Sequence, residues 1–364
     1  MSVVAWAGRA GEVETRPGAD EAVPGGGGFT PADEKYDIEA TIGHGGMGEV
    51  LLVQDRDLQR QVAMKVLRES MADDATHRLR FVAEAQATSQ LEHPGILPVH
   101  DIGITPEGRI YFTMKLVRGR TLAEILKDLL LGARAVKREY TLHRLVSILE
   151  RVSEALHFAH EKGVIHRDLK PENVMLGDYG EVHVMDWGLA RVAGESDELL
   201  DLAEEAELDR IATARTEAGL HTQHGTIKGT VPYMSPEQLK GDAHLDRRTD
   251  VYALGCLLYE VLCLQPPFPP EEPDLLKKKL AGDVVDVQAR NPRRRVPDVL
   301  AEVCREAMAT DRAARPESAS AVADVLRSWL DGTSERVRRH QEAVRLAKEG
   351  EEAALAYGTA KEAL

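Results

Sequence analysis

The chain has 364 residues, of which 43% are hydrophobic, and a formal net charge of −15. That length suffices for two domains or one large two-lobed domain with an ample core, and the apolar fraction argues against wholesale disorder. The acidic balance argues against general nucleic-acid binding, which needs a basic face.

Residues 1–34 read as a flexible leader that ends in a glycine run and Pro31. Its first residues, MSVVAWAGRAGEVETR, have neither a basic n-region nor a sustained apolar stretch, so no signal peptide is expected. Structure is expected from Tyr36, where YDIEATI reads as a strand, followed by the strand signals EVLLVQD and QVAMKVL in an antiparallel meander. Residues 74–91 place apolar groups at helical intervals, and His93-Pro94-Gly95 stops the helix. ILPVHDIGIT and RIYFTMKLV then read as two strands joined by a turn at Pro106-Glu107-Gly108. The first half of the fold is therefore five strands and one main helix.

Beyond Thr121 the pattern turns mostly helical. LHRLVSILERVSEALHFAHEKG is a long amphipathic helix stopped by Gly163. The longest apolar run, Val251 to Leu264, is too short to cross a bilayer and contains Glu260, so it reads as a buried core helix. Residues 298–330 carry at least two more helices around a turn at Asp311 and Pro316. Residues 195–222 open with the acidic run ESDELLDLAEEAELD and read as a surface insertion; residues 331–364 form a charged tail of helical pattern. Cys256, Cys263 and Cys304 lack CxxC spacing, and their odd number suits a reducing cytosol.

The strongest chemical signal follows Gly163: His166-Arg167-Asp168-Leu169-Lys170-Pro171-Glu172-Asn173. Here the chain resembles the protein kinases, specifically the Hanks-type serine/threonine kinases of bacteria. That resemblance implies an α+β bilobal fold: a small lobe at 35–117, with a five-stranded antiparallel sheet and one main helix, and a larger mostly helical lobe at 118–330. The family's catalytic loop needs an Asp to orient and accept the substrate hydroxyl proton and an Asn to hold a metal ion; Asp168 and Asn173 match them. Lys170 would lie against the transferring phosphoryl and marks the serine/threonine branch. Asp186-Trp187-Gly188 matches the family's Asp-Phe-Gly, with Asp186 the second metal ligand and Trp187 in place of Phe, a larger aromatic expected to pack beneath the helix of residues 74–91.

Alone, the glycines of Gly43-His44-Gly45-Gly46-Met47-Gly48-Glu49-Val50 are a weak signal. A strand follows them rather than a helix, which favours a flap over ATP phosphates to a dinucleotide-binding turn. Lys65 of Val62-Ala63-Met64-Lys65 matches the family's strand lysine on the α- and β-phosphates, with Glu84 its expected partner. By the same resemblance Ile42, Val50, Ala63 and Met175 would sandwich adenine, Met114 would close the back, and the backbone at Lys115 and Val117 would bond its edge. Ser235-Pro236-Glu237 with Arg315, and Asp250, match structural positions of the family.

The implied reaction is transfer of the γ-phosphoryl of ATP to Ser or Thr hydroxyls of proteins, with Mg²⁺ as the metal and Mn²⁺ able to substitute. The activation segment would run over 186–237, with Thr222 and Thr226 the leading autophosphorylation candidates ahead of Thr213 and Thr216, Arg167 the receiving cation, and Thr230 a structural contact of Asp168 and Lys170. The acidic insertion is either a solvated loop or an occupant of the substrate groove. The tail is either a cap on the larger lobe or the start of a longer region. The expected location is cytoplasmic, with any membrane tether beyond residue 364, and self-association would serve autophosphorylation in trans. The alternatives are a nucleotide-binding pseudokinase scaffold and a small-molecule phosphotransferase of kinase-like fold. Lys65, Asp168, Asn173 and Asp186 speak against the first, and the Ser235-Pro236-Glu237 segment with Arg315 against the second.

Overall fold

The computed structural model describes residues 35–187, 191–192 and 231–333, apart from Gly46, Ala243 and Pro273, together with positions 335, 339 and 345. The expectations for the leader, for Gly188, for the acidic insertion, for Thr213, Thr216, Thr222, Thr226 and Thr230, and for most of the tail lie outside these residues.

Five strands form one antiparallel sheet in the order β1-β2-β3-β5-β4, from β1 (Tyr36–His44), β2 (Gly48–Asp55), β3 (Arg60–Leu67), β4 (Val99–Ile104) and β5 (Ile110–Lys115). Strand alternation gives each face a task. Val62, Met64 and Val66 of β3 point to one side and join Tyr36, Leu51, Val53 and Tyr111 in a buried cluster. Leu67, on the opposite face with Lys65, joins Ile110 and Phe112 of β5 against Phe81, Val82 and Ala85 of the main helix.

A single-turn helix, α1 (Glu69–Ala72), precedes that main helix, α2 (Ala75–Ser89). Asp74 caps α2, its carboxylate accepting from the amides of Thr76 at 2.8 Å and His77 at 3.4 Å. The helix ends two residues earlier than its apolar pattern, at Ser89, and Leu91 and Ile96 drop into the core of the larger lobe. Val184 donates to the carbonyl of Gly95 at 2.8 Å, so this connection ties the two lobes together.

The larger lobe holds α3 (Leu122–Leu130), α4 (Arg134–Glu139), α5 (Leu142–Glu161), α6 (Pro236–Lys240), α7 (Arg248–Cys263), α8 (Leu275–Ala281), α9 (Val287–Arg290), α10 (Asp298–Ala307) and a further helix over 319–333. Helix α5 ends just before Gly163, as its sequence predicts. The apolar run expected to be a core helix is α7, with 14 of its residues buried. Its Gly255 is where α10 approaches: a Cβ there would lie 2.8 Å from the Cβ of Ala307, so any larger residue would push the helices apart.

Short strands went unread in the sequence. β6 (Gly119–Thr121), β8 (Val174–Gly177) and β9 (Val182–Val184) form a three-stranded sheet, and β7 (Val164–Ile165) pairs with β10 (Arg191–Val192). Strands of two to four residues show no period. They frame the loops that carry the site. Among the described residues no helix is long and apolar enough to cross a membrane.

Candidate active site

Lys65 occupies the middle of β3, opposite Val50 on β2 and Phe112 on β5. Its Nζ donates to Glu84 Oε1 at 2.6 Å and to Asp186 Oδ1 at 3.1 Å, and stands 5.8 Å from the Phe112 ring centre. Glu84 reaches it because the buried stripe of α2 runs through Arg80, Phe81, Glu84 and Thr88, one helical turn apart. Burial disfavours the charge on Lys65, but the carboxylates of Asp186 and Glu84 outweigh it and hold the amine protonated beyond the usual lysine range. The two carboxyls divide unequally. Burial pushes Glu84 up to about 7 against the pull of Lys65. The charge of Lys65 draws Asp186 down to about 2, and 42% of the Asp186 side chain is open to solvent.

The loop from His166 to Asn173 is held from below by Asp250, on the first turn of α7. Its carboxylate accepts from the amides of His166 and Arg167, both at 2.8 Å, and from His160 Nε2 at 2.7 Å. Burial opposes the charge on Asp250, yet these donors keep it ionised below the ordinary aspartate range. Arg167 and Asp186 both adopt left-handed backbone, with φ of 66° and 63°. Such conformations in non-glycine residues cost of order 1–3 kcal/mol and persist where the surroundings impose them.

Asp168 sits at the focus of this loop. Its Oδ2 accepts from Lys170 Nζ at 2.6 Å and from Asn173 Nδ2 at 3.3 Å, while Asn173 Nδ2 also reaches the Asp168 carbonyl at 2.8 Å. Oδ1 is buried and has no hydrogen-bond partner among the described residues. Burial raises the Asp168 pKa, with Lys170 pulling the other way. The result is a carboxylate with one oxygen fixed and the other available to accept a proton.

The glycine turn between β1 and β2 is tight. The Gly45 amide donates to the Gly48 carbonyl at 2.8 Å, and a Cβ on Gly48 would lie 2.7 Å from the Val66 carbonyl oxygen. Only glycine lets β2 start this close to β3. Gly43 lies opposite Val50 across the turn. Of the apolar positions expected around adenine, Ala63 is buried beside Met114 in the β3–β5 ladder, Val50 and Met175 are half-buried, and Ile42 is 49% exposed on β1. The Lys115 amide is already bonded to the Pro98 carbonyl at 3.2 Å, which leaves its carbonyl, rather than its N–H, for a ligand edge. Val117 follows, half-buried, just before β6.

Trp187 departs from the expected placement. Its ring is 1% exposed within the larger lobe's core, 4.6 Å from the His166 ring centre, with Nε1 donating to the Val184 carbonyl at 3.3 Å. The α2 cluster does not include it. The reason is the bulk and polar edge of the indole, which need both depth and an acceptor.

Two supports escaped the sequence. His166 Nε2 donates to the Met185 carbonyl at 3.0 Å, so its Nδ1 is left to accept from the Asp168 amide at 3.2 Å. Gln238 Nε2 donates to the Arg167 carbonyl at 2.7 Å, tying α6 to the loop. Below α6, Arg315 forms two bonds with Glu237, at 2.7 and 2.8 Å.

Residues 36–327 match the family described as the protein kinase domain. The chain belongs to the protein kinase family. Bacterial relatives carry the same likeness. The serine/threonine-protein kinase PknD of Protochlamydia amoebophila is 35% identical over 305 residues, covering 82% of this chain and 30% of that protein. The PknD of Chlamydia muridarum is 33% identical over 309 residues, with 84% and 32% covered. The kinase domain therefore spans about a third of the length of the curated relatives it matches, whose shares are 30% and 32%. Among solved structures, the Mycobacterium tuberculosis PknI kinase domain aligns with a TM-score of 0.57 at 26% identity, covering 83% of this chain and 98% of that one. The expected five-stranded lobe and helical lobe are those of this kinase fold.

Proposed function

We propose that this kinase domain transfers the γ-phosphoryl of ATP to serine or threonine hydroxyls of a protein substrate. The observation that carries the proposal is the convergence on one site of a buried, protonated Lys65, an ionised Asp186, and an Asp168 carboxylate with one oxygen unpartnered among the described residues. In this reading Lys65, braced by Glu84, meets the α- and β-phosphates. Gly43, Gly45 and Gly48 bring the backbone over the phosphates, and Ile42, Val50, Ala63, Met114 and Met175 flank adenine, with the Lys115 and Val117 backbone at its edge. Asp168 orients the hydroxyl and takes its proton on Oδ1, while Lys170 neutralises charge on the moving phosphoryl.

A divalent ion fits the donors at hand. Asp186 offers an anionic oxygen, and Asn173, whose Nδ2 is engaged with Asp168, has its amide oxygen left as a donor. Among the described residues no three His, Cys, Asp or Glu side chains gather as a metal cluster, so nucleotide phosphates would complete the ligand set, as is usual for Mg²⁺. Held by Asp186 and Asn173, Mg²⁺ (or Mn²⁺ in its place) would supply neutralisation of the phosphate charge.

Activation-segment autophosphorylation, self-association for it, and a cytoplasmic location complete the reading. It is tested by mass spectrometry of the purified protein after incubation with ATP and Mg²⁺, beside Asp168→Asn. Phosphothreonine within residues 213–230, absent from the variant, supports the proposal. Nucleotide binding without phosphate on the protein or on a generic acceptor would replace it with a scaffold.

A further inference from the structure

Lys279 is the last of three consecutive lysines at 277–279 on α8, yet it is 0% exposed. Its Nζ donates to the Pro232 carbonyl at 2.5 Å and stands 4.7 Å from the Phe268 ring centre and 4.9 Å from that of Tyr252. The Tyr252 ring also carries the Arg315 guanidinium at 4.9 Å. No carboxylate forms an ion pair with Lys279 among the described residues. An ammonium in such a slot is costly, and Met or Leu would fill the space without the penalty. What the charge adds is a strong bond to one backbone carbonyl, reinforced by two aromatic faces.

That carbonyl belongs to the chain entering α6. The segment is pinned at three points: Lys279 on Pro232, the Tyr233 hydroxyl on Glu260 at 2.7 Å, and Gln238 on the Arg167 carbonyl beside Asp168. We propose that Lys279 is a positioning residue for the protein substrate, its ammonium fixing the backbone of Val231–Ser235 on which the acceptor chain lies beside Asp168. The inference rests on the kinase reading above and adds a residue to it.

Its pH signature is distinctive. Burial lowers Lys279 to about 8, with Cys256 opposing. Of the groups around it only Glu260 titrates nearby, and it lies below Lys279. Burial pushes Cys256 up to about 11 and holds Tyr233 and Tyr252 above the usual tyrosine range. Burial raises Glu260 to about 7, whereas Glu237 is buried yet held below its ordinary range by Arg315.

The test uses the whole chain, with dephosphorylated casein as acceptor. In Lys279→Met the KM for casein should rise about tenfold, the size of one lost charge-assisted hydrogen bond, with the KM for ATP unchanged. Lys279→Arg should restore most of the loss. In the unmodified protein the casein KM should climb above pH of about 8, a step that Lys279→Met lacks. Hydrogen exchange of residues 231–240 supplies a readout without catalysis: faster in Lys279→Met, near normal in Lys279→Arg, and unchanged around Lys65 in both. Should Lys279→Met fail to fold, the wild-type pH profile and Lys279→Arg still decide. A folded Lys279→Met with unaltered casein KM and exchange, or with an equal rise in the KM for ATP, overturns the inference. A wild-type protein that phosphorylates nothing overturns the kinase reading and, with it, the substrate role, while exchange still reports whether Lys279 holds the segment.

Discussion

Replacing Arg315 by Met tests whether the larger lobe is held by a buried charge pair. The Arg315 side chain is 0% exposed and makes two bonds to Glu237, at 2.7 and 2.8 Å. It also donates to the carbonyls of Ala309, Arg248 and Thr310 at 2.8, 2.9 and 3.4 Å. Methionine fills the space but leaves Glu237 with the Thr249 hydroxyl at 3.1 Å and the more distant Arg312 at 4.0 Å. Breaking a buried pair from one side costs about 3–5 kcal/mol, since the stranded charge is the larger penalty. Arg315→Met combined with Glu237→Gln should cost less than the sum of the singles, with a coupling of about 2 kcal/mol. Urea unfolding followed by tryptophan fluorescence measures both. The pH dependence has a definite sign. Burial opposes the Glu237 charge but Arg315 lowers its pKa below 4.5, so the pair's stabilisation is complete above that value. It is lost as pH falls through the depressed folded value, and the gap between wild type and Arg315→Met should narrow there. A loss below about 1 kcal/mol at neutral pH, or strict additivity in the double variant, would refute the reasoning.

The remaining expectations concern chemistry and core. Asp168→Asn should lower kcat by about 10²–10⁴-fold while nucleotide still binds in titration calorimetry, because the side chain keeps its shape but loses the charge and basicity that accept the proton. Lys65→Met should weaken both, and a variant with full nucleotide affinity would break its assignment to the phosphates. Trp187→Ala should destabilise by about 3–5 kcal/mol in urea and Trp187→Phe by clearly less, since Phe keeps the ring but not the bond to Val184. Burial raises Glu260 from 4.5 to about 7, so the folded state holds the proton more tightly and stability attributable to Glu260 falls as pH rises between those values. Glu260→Gln should therefore gain stability over wild type at pH of about 8, on the order of 1–3 kcal/mol, and little at pH of about 4. An unchanged difference across that range would show that Glu260 does not carry the shift.

Local features were legible where the chemistry lies close in sequence. The alternation of β3 and the helical stripe of α2 are periodic over enough residues to read, and together they bring Lys65 to Glu84. The His166–Asn173 loop compresses acid, lysine and amide into eight residues, so their grouping around Asp168 needs little tertiary information. Boundaries were harder. Helix α2 stops at Ser89 because Leu91 is drawn into the other lobe's core, a tertiary pull that no local pattern carries.

What stayed hidden has one physical character: polar groups whose partners come from far along the chain. His166 reads as a motif residue, but its role depends on the Met185 carbonyl, which fixes the tautomer that steadies the Asp168 amide. Glu260 reads as a charge that excludes a membrane helix, and the structure gives it Tyr233. Lys279 is one of three consecutive lysines and is the buried one. In each case the sequence shows a group that is expensive to bury, and only the fold supplies the partner that offsets the expense. Lys279 and Glu260 both hold the segment from Pro232 to Gln238, which Gln238 ties to the Arg167 carbonyl next to Asp168, so the hidden polar groups bear on the loop that the sequence singled out. Substitutions at Lys279 and Glu260 should accordingly act on how the acceptor chain is held rather than on how the phosphates are.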